Sequence, residues 1–279
     1  MKPARQKDDA LLRDIADARN RKQARLWWLG QSGFLIHAAG KTVLCDPYLS
    51  DSLTRKYAQT DKPHQRLTER VIAPDGLTGI EVITCSHNHT DHLDADTLLP
   101  LFEANPQARL VVPRANVSFV LERLGKVESR LVPIDAGEIV QVGGIEFVGI
   151  PAAHNTVERD EQGRCRFLGY VGRIEKLKFY HSGDTLVHDG LVPALSPLRV
   201  DVALLPINGN RPERRVAGNM NGREAAGLAR AISARLAVPH HFDMFAFNTE
   251  PPDEFVDECR RLGQVYQVLE NGSGLDLDT

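Results

Sequence analysis

The chain of 279 residues carries 34 Lys and Arg against 37 Asp and Glu, a formal net charge of −3, with 42% hydrophobic and 25% charged residues. That composition is globular and excludes a disordered, collagen-like or coiled-coil chain. The longest apolar stretch, 26–39, is broken by Gln31, Ser32 and His37 well short of the roughly 18 residues of a membrane span, and the near-neutral charge makes nucleic acid an improbable partner.

Residues 1–24 are polar, with Leu11, Leu12 and Ile15 spaced as a thin helical stripe, and read as a helical arm packed on a single domain over 25–279. The first residues lack the apolar core of a secretory signal, so a cytoplasmic chain is expected. Short β-branched and aromatic runs bounded by Gly, Asn, Asp and Pro then predict strands at 26–29, 34–38, 42–45, 82–86 and 110–112. Helices are expected at 95–103, with Asp94 as N-cap, and at 115–124. A second series predicts strands at 139–142, 145–150, 166–171 and 176–181. Strand 200–205, helix 222–233, strand 236–238 and helix 252–262 complete it. Strands with interspersed helices imply a layered α/β protein. Cys45, Cys85, Cys165 and Cys259 form no Cys-x-x-Cys pair, so neither a disulfide framework nor a thiolate zinc site is indicated.

The chemistry concentrates in Ser86-His87-Asn88-His89-Thr90-Asp91-His92-Leu93-Asp94, directly after an apolar strand. Imidazole and carboxylate ligands at this density suit a divalent transition metal. In an extended loop His87 and His89 point to one side while Asp91 and His92 diverge, so the spacing can serve two ions. A surface histidine cluster or helix-capping turn is the plainer alternative. Further ligands are available where polar segments end predicted strands, at His154, Asp184 and His241.

This order of motifs resembles the metallo-β-lactamase superfamily. The resemblance implies an αββα sandwich of two mixed β-sheets flanked by helices, with a dinuclear site at one edge. It assigns His87, His89 and His154 to one divalent ion, Asp91, His92 and His241 to the other, and Asp184 as the bridge. Trp27-Trp28-Leu29-Gly30, Tyr180-His181-Ser182-Gly183-Asp184, Val200-Asp201-Val202-Ala203-Leu204 and Pro239-His240-His241 with Asp243 are together similar to the L-ascorbate-6-phosphate lactonase branch. That branch is manganese-associated and related members use zinc; residues 50–80 and 105–165 match it poorly. His240 competes with His241 for one ligand position and otherwise orients substrate or is simply buried. His181 reads as a support for Asp184 or as a core histidine. Asp46 reads as orienting a ligating histidine through its free ring nitrogen, or as a turn residue before Pro47.

Metal-assisted hydrolysis is the implied reaction, with Asp91 and Asp184 as the catalytic carboxylates and Asp91 relaying a proton to the leaving oxygen. The segment Asn208-Gly-Asn-Arg211-Pro-Glu-Arg214-Arg215 offers guanidinium forks for a phosphate or carboxylate, with Arg55 and Lys56 as a weaker case. The expected substrate is a small phosphorylated or acidic lactone or ester. A phosphodiesterase of the phospholipase D-like or nuclease type, and a metal-binding sensor without turnover, are the competing readings. A homo-oligomer is compatible with the sequence.

Overall fold

Two mixed β-sheets stack face to face in the computed structural model, which describes residues 1–278. The N-terminal half comprises α1 (Asp8–Arg21), β1 (Arg25–Gly30), β2 (Gly33–Ala38), β3 (Lys41–Cys45), α2 (Ser52–Lys56) and β4 (Val82–Thr84). It continues through α3 (Ala95–Ala104), β5 (Arg109–Pro113), α4 (Val117–Leu124) and β6 (Leu131–Ile134). The C-terminal half begins with β7 (Ile139–Val142), β8 (Ile145–Pro151), β9 (Leu168–Ile174), β10 (Leu177–His181) and α5 (Leu191–Leu195). It ends with β11 (Val202–Pro206), α6 (Gly222–Ala231), β12 (Leu236–His240), α7 (Asp253–Leu262) and β13 (Gly274–Asp276). The seven-stranded sheet runs β13-β1-β2-β3-β4-β5-β6 and the six-stranded sheet β12-β11-β10-β9-β8-β7.

Period-two alternation divides each strand between two cores. Leu26, Trp28, Phe34 and Ile36 face the second sheet and pack with Phe147, Tyr170, Phe179 and Leu204. Trp27, Leu29, Leu35 and Leu44 face outward, under Leu11 and Ile15 of α1, Leu98 and Leu101 of α3, and Val120 of α4. Both faces are therefore covered, and β1 and β2 read as nearly unbroken apolar runs. On the other side α6 lies against β11, β12 and α7, its start fixed by an Asn221/Glu224 capping box. Gly222 is required there, because a Cβ would meet the Phe255 backbone at 2.5 Å. This is the αββα architecture that the resemblance implies.

Two strands have no counterpart among those predicted. β6 contains Pro133 and β13 is three residues long, and both are edge strands. Proline is tolerated at an edge because one side of the strand has no ladder to complete, so a sequence rule that penalises proline overlooks it. Pro239 sits in β12 on the same grounds, at the edge of the second sheet.

Strand direction is what gathers the site. In the first sheet β3, β4 and β5 are mutually parallel, and β1 shares their direction because two antiparallel steps separate it from β3. In the second sheet β10, β11 and β12 are parallel, and β8 shares their direction through β9. The loops that follow β1, β3, β4, β8, β10 and β12 carry Gln31, Asp46, the 87–92 run, His154, Asp184 and His241. These side chains assemble around one group of buried polar atoms at the sheet edge.

Candidate metal centre

Two three-residue clusters present ligand atoms lying within 4.8 Å of one another: His87, His89 and His154, and Asp91, His92 and His241. Asp184 lies between them. Its Oδ2 is 3.7 Å from His154 Nε2 and 3.3 Å from His241 Nε2, and its Oδ1 is 3.4 Å from His92 Nε2. Asp91 Oδ2 is 3.6 Å from His92 Nε2 and 3.7 Å from His241 Nε2. Ring centroids of His87 and His92 are 4.1 Å apart, closing the gap between the clusters.

The far sides of three of the rings are tied to the scaffold. His92 Nδ1 is 2.6 Å from Asp46 Oδ2, His154 Nδ1 donates to the Gly218 carbonyl at 2.9 Å, and His87 Nδ1 is 3.0 Å from Ser86 Oγ. Such partners fix the tautomer and aim the other nitrogen at the site. Asp46, Gln31 and His241 all adopt positive φ, at 39°, 49° and 60°, a conformation side chains normally avoid and retain where surrounding contacts impose it. Here the Gln31 carbonyl accepts both Trp28 Nε1–H at 2.9 Å and the His241 backbone N–H at 3.0 Å. Gly183, at φ +58°, precedes Asp184 where a Cβ would come within 2.5 Å of Ser86 Cβ, so only glycine lets the loops after β4 and β10 meet.

The buried charges are strongly polarised. Burial opposes ionisation of His92 and His241, yet Asp184 and Asp91 outweigh it and raise both imidazoles above their ordinary pKa, His92 well above. Burial likewise pushes Asp184 up, but His241 and His92 hold it well below the usual carboxylate range. His87, buried and surrounded by His92 and His89, is pushed well below the normal imidazole value.

His87 Nε2, His92 Nε2 and Asp184 Oδ1 are buried without a hydrogen-bond partner among the described residues. Unpaired buried polar atoms are costly, and here they converge from separate loops. Nitrogen and carboxylate donors in this arrangement fit divalent metal ions. Asp46, His87 and His92 also lie close together, but the Asp46 carboxylate is already occupied by the Ser86 N–H at 3.0 Å, the Ser86 hydroxyl and His92. Within that trio Asp46 supports His92 and offers no free ligand oxygen.

Other residues singled out in the sequence fall elsewhere. His181 donates from Nε2 to the Ser32 carbonyl at 2.7 Å and stacks on His240, centroids 5.1 Å apart. Both are fully buried and lie outside the lining of the cavity. Asn208 bonds Asn248 and Asn219, bracing the loop after β11. Arg211 and Arg214 both pair with Glu250, and only Arg215 of the three lines the cavity, while also pairing with Asp61. Arg55 is taken up by Asp96. Asp94 stands at the N-cap of α3, but its carboxylate accepts from the Ser50 and Thr97 hydroxyls.

A cavity of about 540 Å³ opens onto the clusters. Besides the histidines, Asp91 and Asp184 it is lined by Lys56, Lys62, Arg123 and Arg215, by Gln31 and by the aromatic side chains of Tyr57, His64, Phe119 and Phe247. Gln31 Nε2 donates to Asp91 Oδ2 at 2.8 Å. Gln31 was legible only as a polar break in an apolar run, and Lys62, His64 and Arg123 carried no local signal. Phe167, packed on His87 and His154 with centroids 5.1 and 5.6 Å away, had none either.

Residues 41–242 match the family described as Beta-lactamase superfamily domain. A UPF0173 metal-dependent hydrolase of Rubrobacter xylanophilus is 30% identical over 88% of this chain and 92% of its own. The fold is similar to that of a metallo hydrolase from the archaeon Ignicoccus hospitalis, with a TM-score of 0.67, 19% identity and coverage of 92% and 99%. It is similar too to an isothiocyanate hydrolase from Delia radicum gut bacteria, with a TM-score of 0.70, 15% identity and coverage of 90% and 98%. Among the described residues no helix is long and apolar enough to cross a membrane.

Proposed function

The chain belongs to the β-lactamase superfamily and is a metal-dependent hydrolase, and we propose that it works through a two-ion centre on a small anionic ester or lactone. The observation that carries the reading is the convergence of unpartnered His87 Nε2, His92 Nε2 and Asp184 Oδ1 on one edge cavity. His87, His89 and His154 would hold one ion, Asp91, His92 and His241 the other, and Asp184 both. Divalent ions such as zinc or manganese supply Lewis acidity, lowering the pKa of water and polarising the substrate's carbonyl oxygen.

The protein's own groups do the rest. Asp91, held ionised by His92 and His241 against its burial, faces the cavity and can take the proton of the attacking water and pass it to the leaving oxygen. The amide of Gln31 fixes the Asp91 carboxylate. With both acids committed to the centre, Lys56, Lys62 and Arg123 leave the remaining wall cationic, which supports an anionic substrate. The similarity to the lactonase branch supports a lactone or ester. Four separate buried thiols suit a reducing compartment such as the cytoplasm.

The test is a panel of anionic lactones, carboxylic esters and one bis-aryl phosphodiester, run on protein loaded separately with zinc and manganese. Turnover of an ester or lactone is expected, falling at least about 100-fold in Asp184→Asn. Stoichiometric metal with no turnover across the panel would overturn the proposal.

A further inference from the structure

His64 belongs to the loop between α2 and β4, outside every motif discussed above. Its ring is clamped on three sides: Tyr57 stacks on it at 4.2 Å and 20°, and Phe247 and Phe245 meet it edge-on at 4.5 and 5.1 Å. Nδ1 lies 3.0 Å from the Lys62 carbonyl oxygen. A carbonyl only accepts, so Nδ1 carries the hydrogen and Nε2 is left as an acceptor. The ring lines the cavity beside Lys56 and Lys62, and no hydrogen bond engages Nε2 among the described residues. Neither lysine is neutralised: Lys62 Nζ donates to the Arg215 carbonyl at 2.6 Å, and Lys56 Nζ lies 5.2 Å from the Tyr57 ring centroid.

We propose that His64, Lys56 and Lys62 form a substrate subsite for an anion that carries a hydrogen-bond donor, a hydroxyl or N–H, within a few bonds of its charge. The proposal rests on reading the adjoining cavity as the site of a small-anion hydrolase. Two cations supply charge attraction, and the clamped imidazole adds a directional requirement that another lysine would not. Burial holds the His64 pKa below the ordinary imidazole value, and both lysines act in the same sense, so at neutral pH the ring accepts. The surrounding aromatic rings hold the imidazole in one orientation, which fixes the direction of that bond. An anion without the donor leaves Nε2 to water and gains only the charge attraction, so the direct hydrogen bond is what separates two anions of equal charge.

Binding of 3-hydroxybutyrate and of butyrate to the full-length, metal-loaded protein tests this without turnover. The hydroxy acid is expected to bind roughly tenfold more tightly. In His64→Phe, which keeps an aromatic ring in the clamp, the two affinities should agree within about twofold, and His64→Gln should restore part of the preference. In the wild type the His64 Nε2 nitrogen NMR signal should move on adding 3-hydroxybutyrate and stay in place with butyrate, a readout that stands even if the variants misfold. Equal wild-type affinities, binding of neither acid, a preference surviving in His64→Phe or an unmoved Nε2 signal would overturn the subsite. A silent hydrolysis panel with the preference intact would count against the hydrolase proposal alone.

Discussion

Replacing Asp46 by Asn keeps size and shape but removes one acceptor from a saturated carboxylate. Oδ1 accepts the Ser86 backbone N–H at 3.0 Å, and Oδ2 accepts His92 Nδ1–H at 2.6 Å and the Ser86 hydroxyl. An amide has one oxygen, so either orientation sets its NH2 against a donor. Turned toward Ser86, it leaves a buried N–H unpaired, at about 1–3 kcal/mol of stability, and gives His92 Nδ1–H a neutral acceptor in place of a charged one, which makes Nε2 a less basic ligand. Turned toward His92, it forces the hydrogen onto Nε2 and removes the lone pair that faces the centre. Both routes predict weaker metal binding by roughly 10–100-fold, or about 1.4–2.7 kcal/mol. Competition for zinc against a chromophoric chelator measures this directly, with circular dichroism confirming that the variant is folded. A folded Asp46→Asn protein binding zinc within twofold of wild type would refute the assignment of Asp46 as the support of His92.

Metal affinity should still be rising with pH above 6.5, the ordinary imidazole value, and level off only beyond the raised values of His92 and His241, because Asp184 and Asp91 raise both rings and an incoming ion must displace their protons. In the metal-free protein those two imidazoles stabilise the fold fully below about pH 6.5, and this contribution disappears as pH rises through their raised values. Zinc titrations at several pH values check the first statement, and a flat profile would contradict it. Lys56→Ala and Lys62→Ala should each raise KM for anionic substrates by up to roughly tenfold with kcat little changed, whereas a drop in kcat alone would place them in the chemistry instead. Leu11→Ala, at a fully buried position of α1, should cost about 2–5 kcal/mol in a urea melt. A cost below about 0.5 kcal/mol would mean that the helix is dispensable to the domain.

The layered fold was legible because its determinants are local: short apolar runs in β1, β2 and β8, and Gly, Asn, Asp and Pro at the turns that bound them. The 87–92 run was legible for the same reason, since its three imidazoles and its carboxylate are neighbours in the chain. His154, Asp184 and His241 could be nominated from strand-end position and motif resemblance, yet their convergence depends on which strands run parallel, and pairing is a long-range property.

Which cations form the wall was decided in three dimensions. Arg211 and Arg214 have the right chemistry in the sequence, but Glu250 pairs with both, while Lys56, the weaker candidate at the end of α2, and Lys62, in the loop after it, face the cavity without a carboxylate partner. A side chain's charge is fixed by its identity. Whether that charge is available depends on which oppositely charged group the fold places beside it, and for Arg214 that group lies 36 residues away in the chain.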